Sequence, residues 1–238
     1  MNYNRYQDVL EHPERWLEDR QRRWLRPRSS LAQIAHALWY VVNWVLIRFL
    51  FRLSVVGGKH LPASGPFIIA PNHASPLDPL ILGAALPLSL LQQTYCAGKQ
   101  STVLRNRLRR FLSWLTRVIP IDEDFTALAP AVTILEQGDN LVWFPEGRRS
   151  LDGNLQKFKP GIAILLTRCD VPVVPVFIHG AYVAFPPNAW LPRLRTRIEV
   201  RIGPCQSAKQ LGLTRPATED IRCATETLRQ HVLQLRDK

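Results

Sequence analysis

Residues 67–86 read FIIAPNHASPLDPLILGAAL. Phe67–Ala70 is a short, wholly apolar run, as in a strand buried on both faces. A polar block, Asn72–Asp78, follows at once, and the helix-like run Leu80–Leu86 comes after it. Strand, polar turn and helix in that order form the repeating unit of an α/β protein. The alternation continues along the chain. Strand-like runs lie at Gln93–Ala97, Val118–Ile121, Leu141–Phe144, Val173–Ile178 and Arg197–Ile202. Between them, Leu104, Leu108, Phe111, Leu112 and Leu115 recur at helical spacing over 103–116, and Ala131–Gln137 stops at Gly138. Ile221, Ala224, Leu228, Val232 and Leu235 line one face of a C-terminal helix. The pattern predicts an α/β fold, a mostly parallel central sheet flanked by helices, preceded by an N-terminal membrane-associating helical segment.

That segment occupies 1–54, and the main domain 55–238. Residues 1–28 are polar and basic and lack an early apolar stretch of secretory type. Residues 31–53, LAQIAHALWYVVNWVLIRFLFRL, are apolar over a helix length. The best window, Ala37–Leu53, is about 25 Å long as a helix, short of a hydrocarbon core of about 30 Å. Asn43, Arg48 and Arg52 interrupt it, and Arg48 at mid-bilayer would cost about 3 kcal/mol. A helix lying in one leaflet, with Trp39 and Trp44 at the interface, fits better than a single span. A helix buried in the protein core is the competing reading. The expected location is the cytoplasmic face of a membrane, peripheral or monotopic.

The chain has 238 residues, a net charge of +12 and four cysteines. The charge favours anionic partners. Residues 99–117 carry Lys99, Arg105, Arg107, Arg109, Arg110 and Arg117 without one acid. They form a solvated face, a contact for an anionic membrane surface, or a dock for an acidic carrier protein. A nucleic-acid partner is not expected, because no binding motif accompanies the charge. The scattered cysteines, with no C-x-x-C pair, argue against a disulfide framework and a zinc site. No phosphate-binding glycine signature, zinc-protease pattern or nucleophile elbow is present. No spacing implies a metal.

His73 falls where a strand ends, the position at which open α/β sheets gather their reactive groups. Asp78, five residues on, has two structural readings. Ser75 with Pro76 can form a helix cap closed by Asp78, or Asp78 can itself cap the helix ahead of Pro79. Neither explains His73. A carboxylate beside an imidazole fixes its tautomer and stabilises its protonated form, the acid's role in a triad. No serine or cysteine nucleophile carries a signature, so the substrate would supply the nucleophile, a hydroxyl deprotonated by His73. A second block, Phe144-Pro-Glu-Gly-Arg-Arg-Ser150, follows another strand. Arg148 and Arg149 can fork onto phosphate oxygens and Glu146 can accept from a hydroxyl; a charged surface turn is the plainer reading. A third, Phe158-Lys159-Pro160-Gly161, precedes Val171-Pro-Val-Val-Pro-Val176.

In order and spacing these blocks resemble the glycerophospholipid acyltransferases, the 1-acylglycerol-3-phosphate O-acyltransferases and their relatives, over about residues 55–205. Asn72, His73, Ser75 and Asp78 match N-H-x-S-x-x-D. Phe144, Pro145, Glu146, Gly147, Arg149 and Ser150 match F-P-E-G-T-R-S, and Val171–Val176 match the proline-bracketed strand. The resemblance implies acyl transfer from an acyl thioester, acyl-CoA or acyl carrier protein, to a hydroxyl of a lysophospholipid, with no bound cofactor. His73 is then the general base and Asp78 its orienting acid. Glu146, Gly147, Arg148, Arg149, Asn72, Ser75 and Lys159 are the substrate-binding set. One block departs. Where the family carries an arginine toward the acceptor phosphate, this chain has Glu123 within Asp122-Glu123-Asp124, and Arg148 replaces a threonine. A lysolipid with another headgroup, or an inactive lipid-binding relative, are the alternatives.

Overall fold

The apolar runs of the sequence become the strands of one sheet. In the computed structural model, which describes residues 3–215 and 217–237, these are β1 (Arg52–Val56), β2 (Ile68–Pro71), β3 (Thr94–Lys99), β4 (Val118–Ile121), β5 (Asn140–Val142), β6 (Val173–His179) and β7 (Arg197–Ile202). Their spatial order is β1-β7-β6-β2-β5-β3-β4. All neighbours run parallel except β6 and β7. The mostly parallel sheet expected from the sequence is therefore present, with one reversed pairing. All of β2, and β6 as far as Ile178, are buried, which is why both read as unbroken apolar text. Strand β1 was not legible. It follows the apolar helix after the single extended residue Phe51, so hydropathy marks no break.

The central strands alternate their side chains between two cores. Ile68 and Ala70 join one core with the helices Leu128–Glu136, Gly161–Arg168 and Thr218–Arg236. Phe67 and Ile69 join the other, with the helices Ser30–Leu50 and Asp78–Ala85. The C-terminal helix buries Ile221, Ala224, Leu228, Val232 and Leu235, as their spacing predicts. The expected helix over 103–116 is corrected. It is two helices, Gln100–Val103 and Arg107–Leu115, because Asn106 caps the second by accepting from the Arg109 amide at 2.8 Å. Two members of its apolar stripe, Leu108 and Phe111, are exposed.

The Ser30–Leu50 helix meets the protein through a mixed face that includes two polar residues, and turns most of its apolar side chains away from it. His36, Asn43 and Ile47 are its buried residues. Asn43 Nδ2 donates to the Leu80 carbonyl at 2.9 Å, and the Tyr40 hydroxyl donates to the Leu86 carbonyl at 3.3 Å. Leu31, Ile34, Leu38, Val41, Val45 and Phe49 are exposed. This inverts the usual amphipathic pattern of a surface helix, and the helix is not the core helix of the competing reading. It is long and apolar enough to cross a membrane by length and composition.

The edge strand β4 contains Pro120, which has no amide to offer a further strand. The buried Gln21 side chain covers that edge, donating from Nε2 to the Pro120 carbonyl at 2.9 Å while Oε1 accepts from the Glu18 amide at 3.0 Å. Replacing Gln21 with Ala should cost about 1–3 kcal/mol by leaving that carbonyl buried and unpaired. Urea unfolding should show the loss, and limited proteolysis should cut faster within residues 18–28. An unchanged midpoint and cleavage rate would contradict the assignment.

Candidate active site

Strands β2 and β5 are neighbours and parallel, so the turns at their carboxyl ends emerge side by side. The first turn carries Asn72–Asp78 and the second Phe144–Ser150. Adjacent strands lie about 4.8 Å apart, so polar groups from the two turns can reach one another directly.

Asp78 organises the first turn. Its carboxylate is fully buried, and Oδ2 accepts from the amides of Ala74 at 2.7 Å and Ser75 at 2.8 Å. The same oxygen lies 2.8 Å from His73 Nδ1. The carboxylate accepts a hydrogen bond from a protonated Nδ1, so in the neutral ring Nε2 is the nitrogen without a proton. The reading of Asp78 as N-cap is thereby corrected, whereas the reciprocal bonds of the Ser75 reading are present, Asp78 Oδ2 accepting from the Ser75 amide and Ser75 Oγ from the Leu77 amide. Leu77 is the N-cap, without a side-chain cap bond, and Asp78 is the first residue of its helix. Its carboxylate turns back into the loop because the loop amides and the imidazole lie there.

The second turn holds the histidine in place. Glu146 is buried, and its Oε1 accepts from the His73 amide at 2.6 Å. Its Oε2 accepts from the Gln156 amide at 2.9 Å. The Ser150 amide donates to the His73 carbonyl at 2.8 Å. The Phe144 ring stacks on the imidazole with centroids 4.1 Å apart. His73 is thus fixed at its amide, its carbonyl, its Nδ1 and one ring face, while its side chain stays 17% exposed. Burial pushes the Glu146 carboxyl up to about 7, against the opposing pull of the two amides.

The other residues singled out from the sequence divide into two groups. Asn72 and Ser75 are buried and engaged with backbone. Asn72 exchanges hydrogen bonds with Ile178, accepting from its amide at 2.6 Å and donating to its carbonyl at 3.3 Å. This continues the β2–β6 pairing beyond Pro71. Ser75 Oγ donates to the Phe185 carbonyl at 2.7 Å and accepts from the Leu77 amide at 3.1 Å. Gly147, Arg148, Arg149 and Lys159 are exposed. Gly147 has φ +71, and a Cβ there would stand 2.7 Å from the Lys159 side chain, so glycine admits the lysine to the turn. The Lys159 amide donates to the Pro145 carbonyl at 2.7 Å. Neither Arg148 nor Arg149 pairs with an acid among the described residues. Glu123 lies beyond β4 and pairs with Lys99 at 3.0 Å. Gln156 and Phe185 escaped the sequence reading because the groups that meet Glu146 and Ser75 are their backbone amide and carbonyl, which leave no trace in residue type.

A cavity of about 110 Å³ lies behind the turn, between the Ser30–Leu50 helix and the sheet. Pro79, Leu82, Leu86, Cys96 and Val142 are among its mostly apolar lining. Among the described residues, no group of three or more histidine, cysteine or carboxylate side chains is arranged to hold a metal.

A mixed α/β sheet with a histidine–carboxylate pair at a central strand end defines a class, and comparison with known proteins gives the family. Residues 52–179, more than half of the chain, match the family model described as Acyltransferase. The chain belongs to this family, the glycerophospholipid acyltransferases. It is 33% identical over 148 residues to a human 1-acyl-sn-glycerol-3-phosphate acyltransferase alpha, covering 56% of this chain and 48% of the relative. The mouse protein of that name is 28% identical over 195 residues, covering 77% of this chain and 63% of the relative. The match thus spans about half the length of the human relative. The 1-acyl-sn-glycerophosphate acyltransferase structure from Thermotoga maritima shares the fold, with a TM-score of 0.64 at 19% identity, over 98% of this chain and 89% of that one.

The Glu146 carboxyl gives a signed expectation. Its folded pKa, about 7, lies above the ordinary 4.5. Between those values the folded state holds a proton that the unfolded state has lost. The stabilisation is full below about 4.5 and fades as pH rises through about 7, with a span on the order of 3 kcal/mol. Urea titrations at pH 5, 6 and 7 should show this decline in the native protein and a flatter profile in Glu146→Gln. Parallel profiles would contradict it.

Proposed function

We propose that this chain moves a fatty acyl group from an acyl thioester, acyl-CoA or acyl carrier protein, to a hydroxyl of a lysophospholipid. The observation that carries the reading is the 2.8 Å His73–Asp78 pair, fixed on every side except the one open to substrate. Nε2 takes the proton of the acceptor hydroxyl as its oxygen attacks the thioester carbonyl. Asp78 stabilises the imidazolium that forms. The tetrahedral intermediate collapses, the carbon–sulfur bond breaks, and the proton passes from Nε2 to the leaving thiolate. Such general-base help contributes about 10²–10⁴-fold, with positioning of the two reactants adding to it.

The substrate-binding set divides by exposure. Arg148, Arg149 and Lys159 are cations at the mouth of the site, suited to a phosphate. Gly147 gives Lys159 its room. Asn72, Ser75 and Glu146 act one step back, by fixing the backbone that carries His73. The cavity beside Pro79 is suited to an apolar segment of an acyl chain. The inverted Ser30–Leu50 helix supports monotopic attachment: its apolar side faces away from the protein, where a leaflet interior would lie. The groove lined by Arg20, Arg23, Arg107 and Arg110 adds cations suited to an anionic leaflet.

The acceptor need not be 1-acylglycerol-3-phosphate. Glu123, with Lys99 as its partner, brings a carboxylate where the family carries an arginine. A lysolipid with another headgroup is the alternative acceptor.

His73→Ala should lower turnover by at least about 10²-fold while vesicle binding and the unfolding midpoint stay near native values. Asp78→Asn should also lower kcat, since the amide cannot hold the same tautomer or charge. Retained turnover in a folded His73→Ala protein would sink the assignment. A lysolipid panel offered to the native protein, with products read by mass spectrometry, separates a phosphate monoester acceptor from a zwitterionic one.

A further inference from the structure

Beyond the region that matches the family, residues 185–196 form a loop before β7 whose tip is apolar and unprotected. Trp190 is 97% exposed and Leu191 is 79% exposed, and Leu194 also faces solvent. Such a cluster usually marks a contact surface. The loop is not loosely held. The Ala189 amide donates to the Pro186 carbonyl at 3.0 Å and the Arg193 amide to the Ala184 carbonyl at 2.7 Å. Thr196 Oγ1 donates to the Arg193 carbonyl at 2.6 Å. Arg195 is held at φ +59, a left-handed conformation that a non-glycine residue adopts at a cost. A well-braced, strained loop that offers tryptophan and leucine outward is built for display.

Its two ends say what it meets. At one end the Arg195 amide donates to the Leu50 carbonyl at 2.7 Å, the last residue of the apolar helix, one residue from the exposed Phe49. At the other end the Phe185 carbonyl accepts from Ser75, inside the turn that carries His73. The loop therefore continues the outward apolar surface of the helix toward the active-site turn. Its composition is that of an interface. Tryptophan prefers headgroup level, leucine goes below it, and the exposed Arg193 and Arg195 can meet lipid phosphates above it.

We propose that the 185–196 loop inserts Trp190 and Leu191 into the same leaflet as the Ser30–Leu50 helix, a second membrane contact that holds the active-site turn against the lipid surface. This rests on reading that helix as membrane-embedded. Lipid acceptors would then reach His73 from the bilayer without crossing water.

The test attaches a polarity-sensitive fluorophore to one cysteine of the full chain. Cys96 and Cys169 are buried. With Cys205 and Cys223 replaced by Ser, the label goes on Leu191→Cys or on Ile34→Cys of the helix. The exposed native Cys223, on the C-terminal helix across the sheet, serves as control when it is retained. Vesicles are phosphatidylcholine with a minor fraction of phosphatidylglycerol. The expected result is a blue shift at 191 and at 34, quenched by a lipid-borne quencher, with no shift at 223. A shift at 34 but not at 191 overturns the loop contact and leaves the helix reading intact. No shift at either overturns both. A shift at 191 with acyl carrier protein, absent with vesicles, assigns the loop to a protein and overturns the proposal. Trp190→Ser combined with Leu191→Ser should weaken vesicle binding several-fold; unchanged binding contradicts it.

Discussion

The buried carboxylate of Asp78 is the constraint on which the site depends. One oxygen receives two loop amides and the imidazole Nδ1. A carboxylate with no exposed surface is costly to bury unless such donors surround it. The amides therefore fix the loop and the imidazole together through Oδ2, while Oδ1 is buried without a hydrogen-bond partner among the described residues, and the turn that holds the charge is the same turn that aims His73. The second constraint, Glu146, works on the backbone. It anchors the His73 amide from the neighbouring strand end and is anchored in turn by Gln156. The two motifs, far apart in the chain, are thus one hydrogen-bonded unit, and the parallel pairing of β2 with β5 brings them together.

A second theme is polarity turned inside out. The protein spends His36 and Asn43 of the helix on contacts with itself and leaves most of its Leu, Ile, Val and Phe side chains outside. In water that arrangement is unfavourable by the usual measure of about 25 cal/mol per Å² of apolar surface. In a leaflet the sign reverses. The apolar cavity under the helix, the arginine-lined groove near its start and the braced loop at its end are consistent with one surface that meets lipid while the His73 turn sits at its border.

Much of this was legible in the sequence, for physical reasons that differ by element. Six strands were readable, β2 and β6 because buried strands are continuous apolar runs and β7 because its side chains alternate between buried and more exposed, and the C-terminal helix because one face alone is buried. The β1 strand was hidden by the helix that runs into it, and the break at Asn106 by a leucine spacing that continues across it. The His73–Asp78 pairing was readable from position at a strand end. The purposes of Asn72, Ser75 and Glu146 were not, because their partners are backbone groups of Ile178, Phe185, His73 and Gln156, and any residue could supply those. The leaflet reading of the Ser30–Leu50 helix came from its arginines and tryptophans, but its attachment through Asn43 and Tyr40 to the Leu80 and Leu86 carbonyls was out of reach, since those partners are backbone groups.

The central claim is that the His73–Asp78 pair transfers an acyl group to a lipid hydroxyl rather than to water. The most direct measurement is a mass balance. Purified protein is given an acyl thioester and a panel of lysolipids, and released thiol, acylated lipid and free fatty acid are counted together. The account predicts thiol release matched one-for-one by acylated lipid, and lost in His73→Ala. Thiol release matched by free fatty acid, or acylation that survives in the folded His73→Ala protein, would contradict it.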